Sequence, residues 1–168
     1  MPHNNPATGT VPAPDRVDVR GPRVAAWITT GVLVLVLITA SFATPVAAVL
    51  IALQAVVFAL GALYGPRRSP YGRVYARFVA PRLGSAPDTE PVPPLRFAQL
   101  VGGVFAVLSF LGFVAGSTVA GAIFAGFALF AAFLNAAFGI CLGCLLYPFV
   151  QRLIHRSAAS SDAPAPSR

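Results

Sequence analysis

The chain has 168 residues and a formal charge of +7, yet only 10% of it is Asp, Glu, Lys or Arg while 57% is apolar. An average soluble domain is about 45–50% apolar and about 25% charged, and a small soluble protein needs a polar coat that this composition cannot supply. A water-surrounded globule is therefore excluded, and lipid must solvate much of the surface. The placement of charge also argues against a nucleic-acid partner. The basic residues are all Arg and fall in three clusters around Arg16–Arg23, Arg67–Arg96 and Arg152–Arg168, with the acids in the same segments. A nucleic-acid binder spreads its charge over a folded face; here the charge punctuates two runs, Val24 to Pro66 and Phe97 to Gln151, that hold no Asp, Glu, Lys, Arg or His.

Taken in chain order, residues 1–20, with Pro2, Pro6, Pro12 and Pro14, have too little apolar content to fold and read as a disordered tail. A transmembrane helix takes about 20 residues, so the first charge-free run holds two crossings, at about 24–42 and 45–64. The turn lies at Ser41–Pro45, where Thr44 suits an N-cap and Pro45 the first helical position, and Gly65-Pro66 closes the second helix. The first run is longer than the usual signal-peptide core of about 7–15 residues, so it reads as a membrane helix and not as a cleaved leader.

The loop 65–94 divides in two. From Ser69 to Val79 it is amphipathic at helical spacing. Tyr71, Val74, Tyr75 and Phe78 share one face, and Arg73 and Arg77 another. That suits a helix in the headgroup region over anionic lipid, with Tyr71, Arg73, Tyr75 and Arg77 at the membrane interface as a topological anchor. The same surface would also serve to bind lipid or a partner. From Pro81 to Pro94 the proline content predicts an extended linker.

The second charge-free run again holds two crossings, at about 95–115 and 119–150, broken at Ala115–Thr118. The last is longer than one crossing requires, and Gly139 and Gly143 could loosen it. Residues 153–168 read as a second tail. The Arg residues flank the outer ends of both hairpins while the hairpin turns are uncharged, which by the positive-inside rule puts both termini in the cytoplasm. The expected architecture is all-α: an integral-membrane four-helix bundle of two helical hairpins, N-in and C-in. A faint internal echo joins Arg23-Val24-Ala25 to Arg96-Phe97-Ala98, and Gln54-Ala55…Tyr64-Gly65-Pro66 to Asn135-Ala136…Tyr147-Pro148. It suggests two parallel hairpins related by an axis along the membrane normal.

Chemistry concentrates at Cys141-Leu142-Gly143-Cys144, which holds both cysteines of the chain. On a continuous helix, positions three apart share a face at a separation a disulfide tolerates. Pairs of this spacing work because one thiolate attacks and the second resolves the mixed disulfide. The motif would be reachable from the cytosol or by a lipid-borne quinone. Against this, Cys packs well between membrane helices and Leu-Gly between two Cys could be a close-packing patch. Tyr147, on the same face as Cys144, could donate a hydrogen bond to a thiolate or quinone, or anchor at the interface. Gln54 and Asn135 read as interhelical polar contacts. No metal site is expected, because His3 and His155 lie outside the helices and two thiolates need further ligands.

Arg-Gly-Pro-Arg before the first helix, Gln-Ala-Val-Val-Phe-Ala-Leu-Gly-Ala at 54–62, Arg-Ser-Pro-Tyr-Gly at 68–72 and Phe-Leu-Asn-Ala-Ala-Phe-Gly-Ile-Cys-Leu-Gly-Cys at 133–144 resemble a bacterial membrane family known as a domain of unknown function (number 4395). The resemblance covers about residues 20–152. It implies thiol or sulfur work alongside a thioredoxin-like or sulfurtransferase partner, near which members of that family tend to be encoded. By architecture alone the chain is also analogous to four-helix oxidoreductases of the vitamin K epoxide reductase type, although the second cysteine pair that those enzymes often use is absent. The chain is thus expected to be either a thiol–disulfide or sulfur-relay component cycling Cys141 and Cys144, or a non-enzymatic scaffold that forms a homo- or hetero-oligomer through its small-residue helices.

Overall fold

The computed structural model of the chain describes residues 15–84 and 88–161, with 154–161 described by backbone alone. In chain order it contains a short strand β1 (Arg16–Asp18), α1 (Arg20–Ala40), α2 (Thr44–Tyr64), α3 (Pro70–Val74), a π-helical turn (Tyr75–Val79), α4 (Ala80–Leu83), strand β2 (Thr89–Pro91), α5 (Val92–Val114), α6 (Thr118–Phe138) and α7 (Leu142–Ser161). α1, α2, α5 and α6 are each long and apolar enough to cross a membrane. At 1.5 Å per residue they measure roughly 30–35 Å, which matches a hydrocarbon core of about 30 Å.

The four long helices close a ring in which α2 packs most extensively on α5 and α1 on α6, each hairpin also holding together internally. Leu33, Val36, Ala47, Ile51, Ala106 and Ala125 are fully enclosed at its centre. Trp27, Leu53, Leu100 and Leu111 are each more than half exposed on the outside, where lipid would cover them. With lipid outside, small residues at the contacts let the backbones approach closely. A Cβ placed on Gly112 would stand 2.6 Å from the Gly121 nitrogen, and the neighbouring Ser109 hydroxyl donates to the Gly121 carbonyl at 2.7 Å. Hydroxyls inside the helices are satisfied locally, as where Thr30 donates to the Ala26 carbonyl at 2.8 Å.

The contacts repeat when the two halves are exchanged. Each half runs strand, long helix, long helix, short turn, helix; α3 lies on α1 as α7 lies on α5. The strands pair antiparallel with Val17 opposite Glu90. Arg16 and Thr89, which also bond through their side chains, stand 73 positions apart, the same offset that relates Arg23 to Arg96. At the far end Thr44 and Thr118, each the first residue of its helix, bring their hydroxyls within 3.4 Å of one another. The first part of the sequence echo thus coincides with the structural repeat. The second part is out of register: the structure matches Gly65, which ends α2, with Gly139, which ends α6, and not Gln54 with Asn135.

Several boundaries differ from the sequence reading. Residues 16–18 form a strand edge for the proline-rich linker instead of continuing a tail, while 1–14 lie outside the described residues. α7 continues to Ser161. Most consequentially, the fourth crossing does not run from 119 to 150. It stops at Phe138, because Gly139 takes a left-handed conformation (φ +70°) that caps α6, and a new helix starts at Leu142.

Gly112→Ala should therefore wedge α5 from α6 and cost about 1–3 kcal/mol, seen as earlier thermal unfolding in detergent. Gly126→Ala, where an added Cβ meets nothing within 4 Å, should be neutral or slightly stabilising.

Candidate functional site

The break at Gly139 changes what the cysteine motif is. Cys141 is the residue before α7, and its carbonyl accepts from the Leu145 N–H at 3.1 Å while its sulfur accepts from the Cys144 N–H at 3.3 Å. Cys141 therefore caps the helix through its side chain, the position that Ser or Asp usually occupies. Cys141 and Cys144 are disulfide-bonded with their Cα atoms 5.2 Å apart. The cap has a counterpart in the other half: Ser69, before α3, accepts from the Gly72 N–H at 3.1 Å through its hydroxyl.

Three features mark the surroundings of the motif. The Arg23 guanidinium packs directly over the turn, where a Cβ on residue 139 would collide with it. Gly143 lies so close to α5 that an added Cβ would stand 2.5 Å from the Ala98 Cα, so α7 leans on α5 without a spacer. Pro148 sits inside α7 and has no N–H to return to the Cys144 carbonyl four residues earlier.

Cys141, Leu142 and Gly143 form one wall of a cavity of about 590 Å³ in the arginine-rich half of the bundle. Pockets that hold small molecules are about 300–1,000 Å³, mostly apolar, with a few placed polar groups. Here the apolar walls are Phe58, Phe105, Phe127, Phe130 and Leu142, and the polar groups include Gln99 on α5 and Asn135 on α6. Phe127 and Phe130 are 55% and 58% exposed, so the cavity is not sealed on the α6 side. Asp18, Ser69, Gly72 and Tyr75 close its outer end.

The expected site residues are only partly gathered here. Asn135 joins Cys141 on the cavity wall, since the α6 break folds α7 back beside it. Tyr147 does not reach the sulfurs: its ring lies 5.9 Å from that of Phe97 and its hydroxyl accepts from Gln151 at 2.8 Å. Gln54 accepts from the Tyr71 hydroxyl at 2.7 Å and is 1% exposed, with its Nε2 lacking a partner among the described residues. Gln99 is absent from the sequence reading. An amide inside the charge-free run that begins at Phe97 is the signal that could have found it.

The loop residues differ most from expectation. Tyr71 and Tyr75 point into the protein and not outward with Val74 and Phe78, which are exposed. Arg73 and Arg77 are exposed, as an interfacial face requires. Tyr75 packs on Gly21 and donates to the Asp18 carboxylate at 2.5 Å. The π-helical turn, where the Ala80 N–H reaches back to the Tyr75 carbonyl, sets this orientation. Burial pushes the Tyr75 hydroxyl up to about 12, helped by the hydrogen bond to Asp18. Burial opposes the charged form of Asp18. The Tyr75 hydroxyl, the Arg20 N–H and the Arg20 charge outweigh it and hold the carboxyl below its ordinary value.

Tyr75→Phe should cost about 1 kcal/mol. The raised Tyr75 value makes that difference complete below the ordinary tyrosine pKa of about 10 and lost as pH rises through about 12. The lowered Asp18 value makes it complete above about 4 and lost as pH falls through the folded value. Wild type and variant compared by thermal unfolding in detergent should differ evenly across neutral pH and converge at both extremes.

No curated protein and no solved structure matches the chain. A family model does, described as a domain of unknown function (DUF4395) and spanning residues 17–152, from the middle of β1 into the third turn of α7, and the chain belongs to that family.

Proposed function

We propose that this protein is a membrane thiol–disulfide exchange component in which Cys141 and Cys144 cycle between disulfide and dithiol. The observation that carries the reading is the disulfide at the N-terminus of α7, with the Cys141 sulfur accepting the Cys144 N–H. A helix N-terminus presents free N–H groups and the positive end of the dipole, and both stabilise negative charge on the Cys141 sulfur once the pair is reduced. Reactive thiols occur in such settings, whereas inert cysteines sit in wholly apolar ones. The Arg bias places this end of the bundle towards the cytosol of a bacterial plasma membrane, with both termini on that side. Disulfides on that side of a membrane are usually transient and catalytic.

The chemistry needs a dithiol partner, and a cytosolic thioredoxin-like protein supplies one. Its thiolate attacks one sulfur of the pair, giving a mixed disulfide and a free thiolate here. The partner's second thiolate then attacks its own sulfur in the mixed bond and releases the second cysteine. The partner leaves oxidised by two electrons, and the pair here gains those electrons and two protons. A sulfurtransferase carrying a persulfide would use the same cysteines as sulfur acceptors. Exposed Arg73 and Arg77 suit contact with anionic headgroups around this end.

The close seat of Gly143 on Ala98 favours a second reading, in which the motif is a packing patch of a membrane scaffold. Thiol trapping separates the two. Cells quenched in acid, alkylated, reduced and mass-tagged should show a partly oxidised pair whose fraction changes on thioredoxin depletion. Cys141→Ser and Cys144→Ser should each abolish this response while the protein still inserts. Cysteines that hold one state under oxidant, reductant and partner depletion alike would leave the scaffold reading in possession.

A further inference from the structure

The cavity raises a question that the exchange reading leaves open: where the electrons go once the pair is reduced. We propose that the cavity bounded by α1, α2, α5, α6 and the start of α7 binds a lipid-soluble quinone, which accepts two electrons from the Cys141/Cys144 dithiol. The inference rests on the thiol–disulfide reading above and adds its electron acceptor and the site.

Four observations carry it. The first is position: Cys141 is on the cavity wall, so a molecule held there lies against the sulfur that caps α7. Next comes the arrangement of polar and apolar wall. Gln99 is adjacent to Ala98, on which Gly143 rests, and Asn135 precedes Gly139 by one helical turn, so both amides stand at the level of the cysteines. Neither side-chain amide has a hydrogen-bond partner among the described residues. Deeper in the bundle Phe105 and Phe127, with ring centroids 5.9 Å apart, continue the cavity. Phe105 is about 9 Å along α5 from Gln99, and Phe127 about 12 Å along α6 from Asn135. A head that accepts hydrogen bonds beside the sulfur and an apolar chain running inward is the shape of a prenyl quinone, whose carbonyls accept from amide N–H groups.

The third observation is charge. Asp18 and Arg67, the charged residues on the cavity wall, bear one charge of each sign, and Arg67 donates to the Arg16 carbonyl at 2.7 Å. With those charges balanced, the wall offers no net positive charge to hold a phospholipid phosphate, and an uncharged carbonyl head fits it. The fourth is access: Phe127 and Phe130 are both cavity wall and exposed apolar surface, so a molecule dissolved in the membrane can arrive from the α6 side.

The step balances without another reactant. The dithiol loses two electrons and its two protons and closes the S–S bond. The quinone gains the two electrons, its two carbonyl oxygens become hydroxyls by taking two protons, and the quinol departs into lipid. The next partner dithiol then reduces the disulfide again.

The test uses the full chain in lipid nanodiscs, reduced and freed of reductant without oxygen. Addition of a short-chain benzoquinone should oxidise the pair with stoichiometric loss of quinone absorbance. Gln99→Leu and Asn135→Leu should each raise the quinone concentration for half-maximal rate by tenfold or more, whereas Gly126→Ala, away from the cavity, leaves it unchanged. The corresponding quinol, which cannot take electrons, should slow alkylation of Cys141 in the wild-type protein, a readout that needs no variant to fold. A reduced pair that a soluble aromatic disulfide reoxidises but quinone does not would overturn this inference and leave the exchange reading standing. A pair inert to both would overturn the two together. Alkylation slowed equally by quinol and by added phospholipid would assign the cavity to an acyl chain and overturn the quinone site.

Discussion

One backbone conformation sets the rest of the site: the left-handed turn at Gly139 that stops α6. In a bilayer every N–H and C=O must be satisfied within the protein, so a helix is not interrupted lightly. Interruption is tolerated where the freed backbone lines a cavity or finds other hydrogen-bond partners, and both conditions hold here. The Ile140 N–H returns to the Leu134 carbonyl, the Gly139 N–H to that of Asn135, and the Cys141 sulfur takes the Cys144 N–H. Without the break the cysteines would lie mid-helix with every nearby N–H already bonded, in surroundings that disfavour a charged sulfur. With it they stand at a helix N-terminus, Cys141 on the wall of a cavity and Arg23 packed over the turn.

The same end of the bundle is built twice. In the first half a serine caps the helix that follows a glycine-terminated crossing; in the second a cysteine does so. Both caps face the one cavity. Beyond the caps the two halves have diverged. α3 passes into a π-helical turn that drives Tyr75 towards Asp18, whereas α7 runs on as a long helix leaning on α5. One half thus closes the outer end of the cavity and the other supplies the sulfur. The two strands, paired at equivalent positions, tie the starts of α1 and α5 together, and Arg96 adds bonds to the Ala62 and Leu63 carbonyls at the end of α2.

The bundle itself is held by close approach more than by specific polar contacts. Lipid removes most of the hydrophobic drive between helices, leaving dispersion and a few hydrogen bonds. Ser109 to the Gly121 carbonyl and Tyr71 to Gln54 are two such bonds. In the second the Gln54 Oε1 accepts from the inward-turned tyrosine, while its Nε2 has no partner among the described residues.

The amino-acid sequence by itself determined the membrane class, the four crossings and both hairpin turns. Charge-free runs of this length have one stable solution in a bilayer, and Gly, Pro, Ser and Thr mark its corners. It also showed the cysteine pair, because two cysteines three apart with none elsewhere need no context to be noticed. Tertiary structure alone decided which face of each helix is inside. Core and lipid are both apolar, so the alternation that identifies a buried face in water carries little information here. That is why Gln99 went unread and why Tyr71 and Tyr75 looked interfacial. A glycine in a long apolar run is equally compatible with a continuous helix and with a break. At Gly139 the packing of Arg23 and the seat of Gly143 on Ala98 accompany the break, and those contacts form between segments far apart in the chain.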